Sequence, residues 1–331
     1  MELNLAVQTS TILAENQVQE KFYCDVVNGL SHYPKKLSSK YFYDSNGDKL
    51  FQRIMSMPEY YLTGCELDIF SNKTRELANI VTAGSDQPFD LIELGAGDAM
   101  KSSFLLKYLV DQGMDFTYMP IDISGNIISV LKQNLRMGIP GLDILPLEGE
   151  YFEMLDKAST LSTRRKIVLF LGSNIGNMEL EEADEFCKQL NSKLNTGDVL
   201  VVGFDLRKNP ATILNAYNDQ TGITAAFNLN LLTRINNELG ADFDLNKFQH
   251  YQHYDPISGA CRSYLVSQID QKVSLAGQTF HFRENELTYM EVSQKFSIAE
   301  IEQLARYAGF SSIGRISDRK NWFVDAVWQV Q

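Results

Sequence analysis

Between about residues 66 and 205 the chain alternates apolar runs with amphipathic stretches, and this pattern constrains the fold more than any other feature. FDLIELG, FTYMPIDIS, DILPLEG, KIVLFLGS and DVLVVGFDL read as strands; SSFLLKYLVDQG, ending at Gly113, the segment around Ile127–Arg136, and ELEEADEFCKQLNSKL read as helices. Strands without polar alternation are buried on both faces, and helices between them allow right-handed parallel crossovers. The expectation is a doubly wound α/β sheet. SIAEIEQLARYAGF resumes this style, with Ser297 as N-cap, Glu300 three residues on and Gly309 as the stop. Two further strands, SSIGRIS and WFVDAVWQV, follow it.

The remaining pieces follow another pattern. Residues 1 to about 65 are polar and aromatic. A turn at Ser45–Asp48 is expected to precede a helix through LFQRIM that stops before Pro58. Residues 206 to 294 carry helix-like NPATILNAYND and TAAFNLNLLTRINNELG. RSYLVSQIDQKVSLAGQTFHFRENE then places Ala276-Gly277 between two β-prone runs, as in a hairpin. The predicted organisation is one domain from 66–205 and 295–331, and a discontinuous α+β domain from 1–65 and 206–294.

With 30 Lys+Arg against 42 Asp+Glu the 331-residue chain carries a formal charge of -12. A nucleic-acid surface is disfavoured, because phosphate binding rests on surplus Lys and Arg. A small zwitterionic or cationic ligand suits the balance. Four cysteines without a CxxC pair, and an HxxH at His250 and His253 without an acidic partner at zincin spacing, give no metal site. The first 17 residues have no basic start, and no segment reaches about 18 uncharged apolar residues. The chain is expected to be cytoplasmic and free of membrane.

The chemistry gathers at strand ends. The first strand closes on Glu93-Leu94-Gly95-Ala96-Gly97, where glycines let the backbone approach a ligand. A dinucleotide fingerprint wants a third glycine where Met100 stands, which weakens NAD binding. The second strand ends in Asp122, placed either to take ribose hydroxyls or to cap the next helix. Acidic residues around both strand ends suit S-adenosylmethionine, which has a sulfonium cation and no pyrophosphate. Asn177 either caps the following helix or holds a carboxylate or amine. Tyr41, Tyr43, Tyr60, Tyr61 and Tyr217 cluster in the accessory pieces, and Glu291 and Ser293 share one face if extended.

Seven strings, YFYDSNGDKLFQRIMSMPEYY, LIELGAGDAMKS, MPIDIS, EGEYFE, FLGSNIGNM, AYNDQTGITAAFN and MEVSQKFS, occur in this order. Together they resemble the histidine-specific Nα-methyltransferases of the ergothioneine pathway, from about residue 20 to the end. The resemblance implies a Rossmann-like class I methyltransferase sheet with an inserted substrate domain, S-adenosylmethionine as methyl donor, and L-histidine trimethylated at its α-amine. Gly95, Gly97, Lys101, Asp122, Glu150 and Tyr151 fall at or beside its cofactor positions, with Glu150 where many members have Asp. Asn177 and Tyr217 fall where the substrate carboxylate is held, Tyr43 and Tyr60 near the amine and ring, and Glu291 and Ser293 on the imidazole. Tyr60 is the group implied to position the amine.

One stretch departs from the family. Arg262 and Ser263 stand where members often have an acidic residue and methionine, and Ser263 is expected to make the pocket roomier and wetter. Met290 replaces the usual Thr before Glu291. Two other readings stay open: an Nα-methyltransferase for an aromatic or modified amino acid, and an inactive ligand-binding relative. A nicotinamide reductase is opposed by Met100 and by the absence of a Tyr-Lys pair. A monomer is expected.

Overall fold

Strand Phe89–Leu94 is buried at every position, as is Val199–Asp205. Their near-continuous apolar runs need cover on both faces, and helices supply it. The computed structural model describes residues 19–82 and 87–331; the first 17 residues, read above as having no basic start, lie outside them. Tyr61–Lys208 with Ser293–Gln331 form one unit, and the residues before Tyr61 with Asn209–Val292 form a second.

In the larger unit the strands lie in the order Phe310–Ser317, Phe323–Val330, Val199–Asp205, Arg165–Phe170, Phe89–Leu94, Phe116–Asp122 and Asp143–Ile144. Phe323–Val330 runs antiparallel to both neighbours, whereas the strands from Val199–Asp205 to Asp143–Ile144 pair in parallel. This is a doubly wound, Rossmann-like sheet. Chain order reverses between Phe89–Leu94 and Arg165–Phe170, and ligands of such sheets bind outside the carboxyl ends of the strands at that point. DILPLEG is not the single strand expected. It makes two short pairings, Asp143–Ile144 and Leu147–Glu148, separated at Pro146, which has no N–H to donate.

The helix ends follow their sequence signals. Ser297 and Glu300 form a capping box at helix Ile298–Tyr307, and Gly113 and Gly309 take positive φ just past two helices. Trp328, Phe204, Phe296 and Phe170 lie in the core on one face of this sheet.

The smaller unit has a sheet ordered Lys35–Lys36, Leu287–Gln294, Ala260–Ser267, Phe248–Tyr254. The hairpin Gln271–Leu275 with Gln278–Phe282 turns at Ala276 and Gly277, both at positive φ, which matches the twist of the flanking strands. Helices Ser45–Met55 and Ile223–Leu239 share a core through Leu50, Ile54, Phe227 and Leu231. Residues Ser45–Asp48 are not a turn ahead of helix Ser45–Met55. They are its opening residues, because Asp44 accepts from the Gly47 N–H at 2.7 Å and caps it.

Candidate functional site

At the switch point the backbone opens. Gly95 and Gly97 have φ of 69° and 54°, conformations that a side chain disfavours. A Cβ on Gly95 would lie 2.7 Å from the Tyr151 hydroxyl and 3.7 Å from Asn174 Nδ2. Asp122 accepts from Gly97 N–H at 3.3 Å and from Ser124 N–H at 2.9 Å. The capping oxygen of helix Gly125–Gly138 comes instead from Ser124, which receives the Ile127 N–H. Asp122 is therefore not that helix's N-cap, and its carboxylate retains acceptor sites beyond the two N–H bonds. Tyr151 sits beside it. Burial, with Asp122 and Glu150 nearby, pushes its phenol up to about 12, so it stays a neutral donor. Glu150 is exposed at the head of helix Tyr151–Leu161. Met100, in the place of a third glycine, is 43% exposed.

Lys101 begins helix Ser102–Asp111 and forms an ion pair with Glu66 of helix Tyr61–Asn72. Glu66 also accepts from Gly172 N–H at 2.8 and 3.0 Å, which ties the helix to the end of strand Arg165–Phe170. A Cβ at Gly203 would collide with the same carboxylate. Burial opposes the Lys101 charge, but Glu66 and Glu93 more than offset it and raise its pKa. Glu93 accepts from the Tyr118 hydroxyl at 2.6 Å, and burial pushes its carboxyl up to about 7. Asp325 is fully buried with no hydrogen bond to either oxygen among the described residues. Burial first, then the charge of Glu66, holds its pKa well above the usual range.

A second charged group lies at the end of strand Val199–Asp205. Asp205 pairs with Lys208 and with Lys295, the latter at 2.9 Å, and accepts from Tyr61 at 2.8 Å. Lys295 also donates to Ser293 Oγ at 2.7 Å. Burial lowers the Lys208 pKa despite Asp205.

Within the smaller unit the rings of Tyr43, Phe51, Tyr60 and Tyr217 follow one another edge-to-face, at 5.5, 6.4 and 5.9 Å. Tyr217 closes helix Pro210–Tyr217, and Asp219 beyond it accepts from Ile223 and Thr224 N–H groups at 2.9 and 2.8 Å. Its pKa falls to about 2 because these bonds and that of Thr221 outweigh burial. Glu291 is half-buried on strand Leu287–Gln294.

The fold thus gathers Gly95, Gly97, Asp122 and Tyr151 in one place, and Tyr43, Tyr60 and Tyr217 in another. Asn177 is exposed at the end of the 3-10 turn Asn174–Asn177; it does not cap the next helix, whose N-cap is Glu179 with Glu182. Ser263 is not the open position that the sequence suggested. It is fully buried, donates to Asn228 at 2.8 Å and meets His250 Nε2 at 2.8 Å. Burial pushes His250 down to about 4 and keeps it neutral. His250 and His253 are three apart on strand Phe248–Tyr254, hence on opposite faces. Sequence reasoning missed Glu66, Lys208 and Lys295. The mid-strand glycine at 203 was a readable signal of close approach. Among the described residues no group of three or more His, Cys, Asp or Glu is arranged to hold a metal, and no helix is long and apolar enough to cross a membrane.

Residues 22–330 match the sequence pattern of a family described as histidine-specific methyltransferase, SAM-dependent. A histidine N-alpha-methyltransferase of Mycolicibacterium smegmatis is 34% identical over 294 residues, 88% of this chain and 89% of that protein. Ergothioneine biosynthesis protein 1 of Schizosaccharomyces pombe is 29% identical over 85% of this chain and 37% of its own length. A solved S-adenosylmethionine-dependent methyltransferase from Clostridium acetobutylicum is 12% identical, covers 80% of this chain and 91% of its own, and superposes with a TM-score of 0.42.

Proposed function

The chain belongs to the histidine-specific, S-adenosylmethionine-dependent methyltransferases, and we propose that it methylates the α-amino group of L-histidine, in three steps, to the trimethylammonium product. It is an enzyme whose methyl donor is S-adenosylmethionine. The observation that carries the reading is the opening at Gly95 and Gly97 against Asp122 and Tyr151 at the switch point. The residues present fit the donor: two acceptor oxygens suit ribose hydroxyls, a neutral phenol suits the adenine region, and no third glycine prepares a pyrophosphate site.

When bound, S-adenosylmethionine supplies an electrophilic methyl carbon on a sulfonium. We assign Asp122 to the ribose, Glu150 and Tyr151 to the adenine, and Gly95, Gly97 and Lys101 to the methionine portion. Asn177 and Tyr217 are assigned to the substrate carboxylate, Tyr43 and Tyr60 to the region of the amine and ring, and Glu291 and Ser293 to the imidazole. A carboxylate acceptor and a hydroxyl match two unlike ring nitrogens, and a side chain lacking them leaves both groups unpaired.

Transfer is an in-line displacement in which the N–C bond forms as the C–S bond breaks, and no protein nucleophile is required. The protein's part is orientation and removal of water, a contribution of up to about 7–11 kcal/mol. The amine must be neutral, and a neighbouring sulfonium lowers an ammonium pKa as like charges do. Tyr60 is proposed to position that nitrogen, and aromatic faces nearby tolerate the growing cation. The reading takes the chain to work as a monomer in the cytoplasm.

Turnover on histidine, tryptophan and tyrosine, with product masses, tests the proposal. Histidine should be preferred and should gain three methyl groups. Preference for another amino acid overturns the substrate, and a product stopped at one methyl overturns the trimethylation.

A further inference from the structure

The turn after strand Arg165–Phe170 is held at three points. Glu66 accepts from the Gly172 N–H, Ser173 Oγ accepts from the Asp205 N–H at 3.2 Å, and a Cβ on Gly176 would lie 2.9 Å from the Gln294 carbonyl oxygen. Gly172 and Ser173 are both in the left-handed region, with φ of 77° and 57°, a costly conformation for a residue with a Cβ. Strain of this kind persists where surrounding contacts impose it, and the residue it leads into is Asn174. The Asn174 amide is half-buried and makes no hydrogen bond to any described residue.

Two glycines define what that amide faces. A Cβ on Gly172 would lie 3.7 Å from both Asn174 Oδ1 and Nδ2 and 3.5 Å from Lys101 Nζ, and one on Gly95 would lie 3.7 Å from Asn174 Nδ2. The amide therefore stands between the two loops that flank the switch point, with the Lys101 ammonium on the same side of Gly172. An ammonium has three N–H donors, and Glu66 is the one hydrogen-bond partner of Lys101 among the described residues. Its remaining donors and those of the amide converge on a space that a side chain at 172 would fill.

A cation beside neutral N–H donors is the chemistry of a carboxylate site. We propose that Asn174 is a further cofactor-binding residue: with Lys101 it holds the α-carboxylate of the donor's methionine portion, the ammonium supplying charge and the amide fixing the second oxygen. The inference rests on the assignment of Lys101 to that portion. It adds Asn174, and a reason for glycine at 172.

Calorimetry on the intact protein with two adenosine thioethers tests it. S-adenosylhomocysteine carries the amino-acid end, and 5′-methylthioadenosine lacks it. Asn174→Ala should weaken S-adenosylhomocysteine by about tenfold or more, as for a hydrogen bond to a charged group, and leave 5′-methylthioadenosine within about twofold. Thermal unfolding without ligand should not change, because the amide has no protein partner to lose. Asn174→Asp keeps the side chain's shape and sets one carboxylate against another, so it should weaken S-adenosylhomocysteine further while 5′-methylthioadenosine again holds. That variant carries the test should the alanine protein not fold. Undiminished affinity for S-adenosylhomocysteine, or equal losses for both ligands, overturns the inference. A third probe, the decarboxylated thioether that keeps its amine, should bind variant and wild type alike; a loss equal to that of S-adenosylhomocysteine overturns the carboxylate assignment. Wild type that binds S-adenosylhomocysteine no more tightly than 5′-methylthioadenosine removes Lys101 itself from the methionine portion, a failure seen without any variant.

Discussion

Two groups of buried charge sit in the larger unit, built with opposite surpluses. Glu66, Glu93 and Asp325 set three carboxyl groups against the single ammonium of Lys101, whereas Asp205 faces both Lys208 and Lys295. Each group responds as desolvated like charges must: Glu93 and Asp325 are pushed toward their neutral forms, and Lys208 is pulled down. The difference lies in which charge is in excess, and on the assignment proposed above the carboxyl-rich group suits a sulfonium.

Glu66→Ala breaks this comparison most severely. It strands Lys101 and the Gly172 N–H, and should cost about 3–5 kcal/mol in denaturant unfolding. Gly203→Ala attacks the same carboxylate from the neighbouring strand, with an expected loss of about 1–3 kcal/mol from overpacking. Asp219→Asn, in the smaller unit, is the contrast. It weakens a helix-capping acceptor by about 1 kcal/mol near neutral pH, with no change in S-adenosylmethionine affinity. Because the folded pKa of Asp219 is lowered to about 2, its contribution is present above the ordinary 3.8 and fades as pH falls through 2. Unfolding series for wild type and variant should converge in that window.

The smallest effect is in protons. The Glu93 carboxyl is raised, so the stability it lends is complete below 4.5 and is lost as pH rises through about 7. Glu93→Gln should flatten stability against pH across that range. Calorimetry near pH 7 in buffers of different ionisation heat should show S-adenosylmethionine releasing a fraction of a proton that uncharged-sulfur S-adenosylhomocysteine does not. Equal release by both ligands would detach the carboxyl-rich group from the sulfonium.

Much of this was legible before any coordinates. The sheet announced itself through apolar runs whose period needs no partner to be read, and Gly95 and Asp122 through their places at strand ends. Glu66 and Lys295 did not, because their partners Lys101, Gly172 and Asp205 lie far off in sequence and only the fold brings them together. Ser263 was misjudged for the same reason. Its hydrogen-bond partners Asn228 and His250 stand 35 and 13 residues away in sequence. Pro146 marked the break in its strand openly, and the apolar run around it masked the signal.

The most direct measurement is a crystal structure with S-adenosylhomocysteine and L-histidine bound. The account predicts ribose hydroxyls on Asp122, the imidazole on Glu291 and Ser293 with Lys295 still donating to Ser293, and the α-nitrogen in line with the sulfur. Histidine seated elsewhere, with Asn177 and Glu291 touching neither ligand, would contradict it.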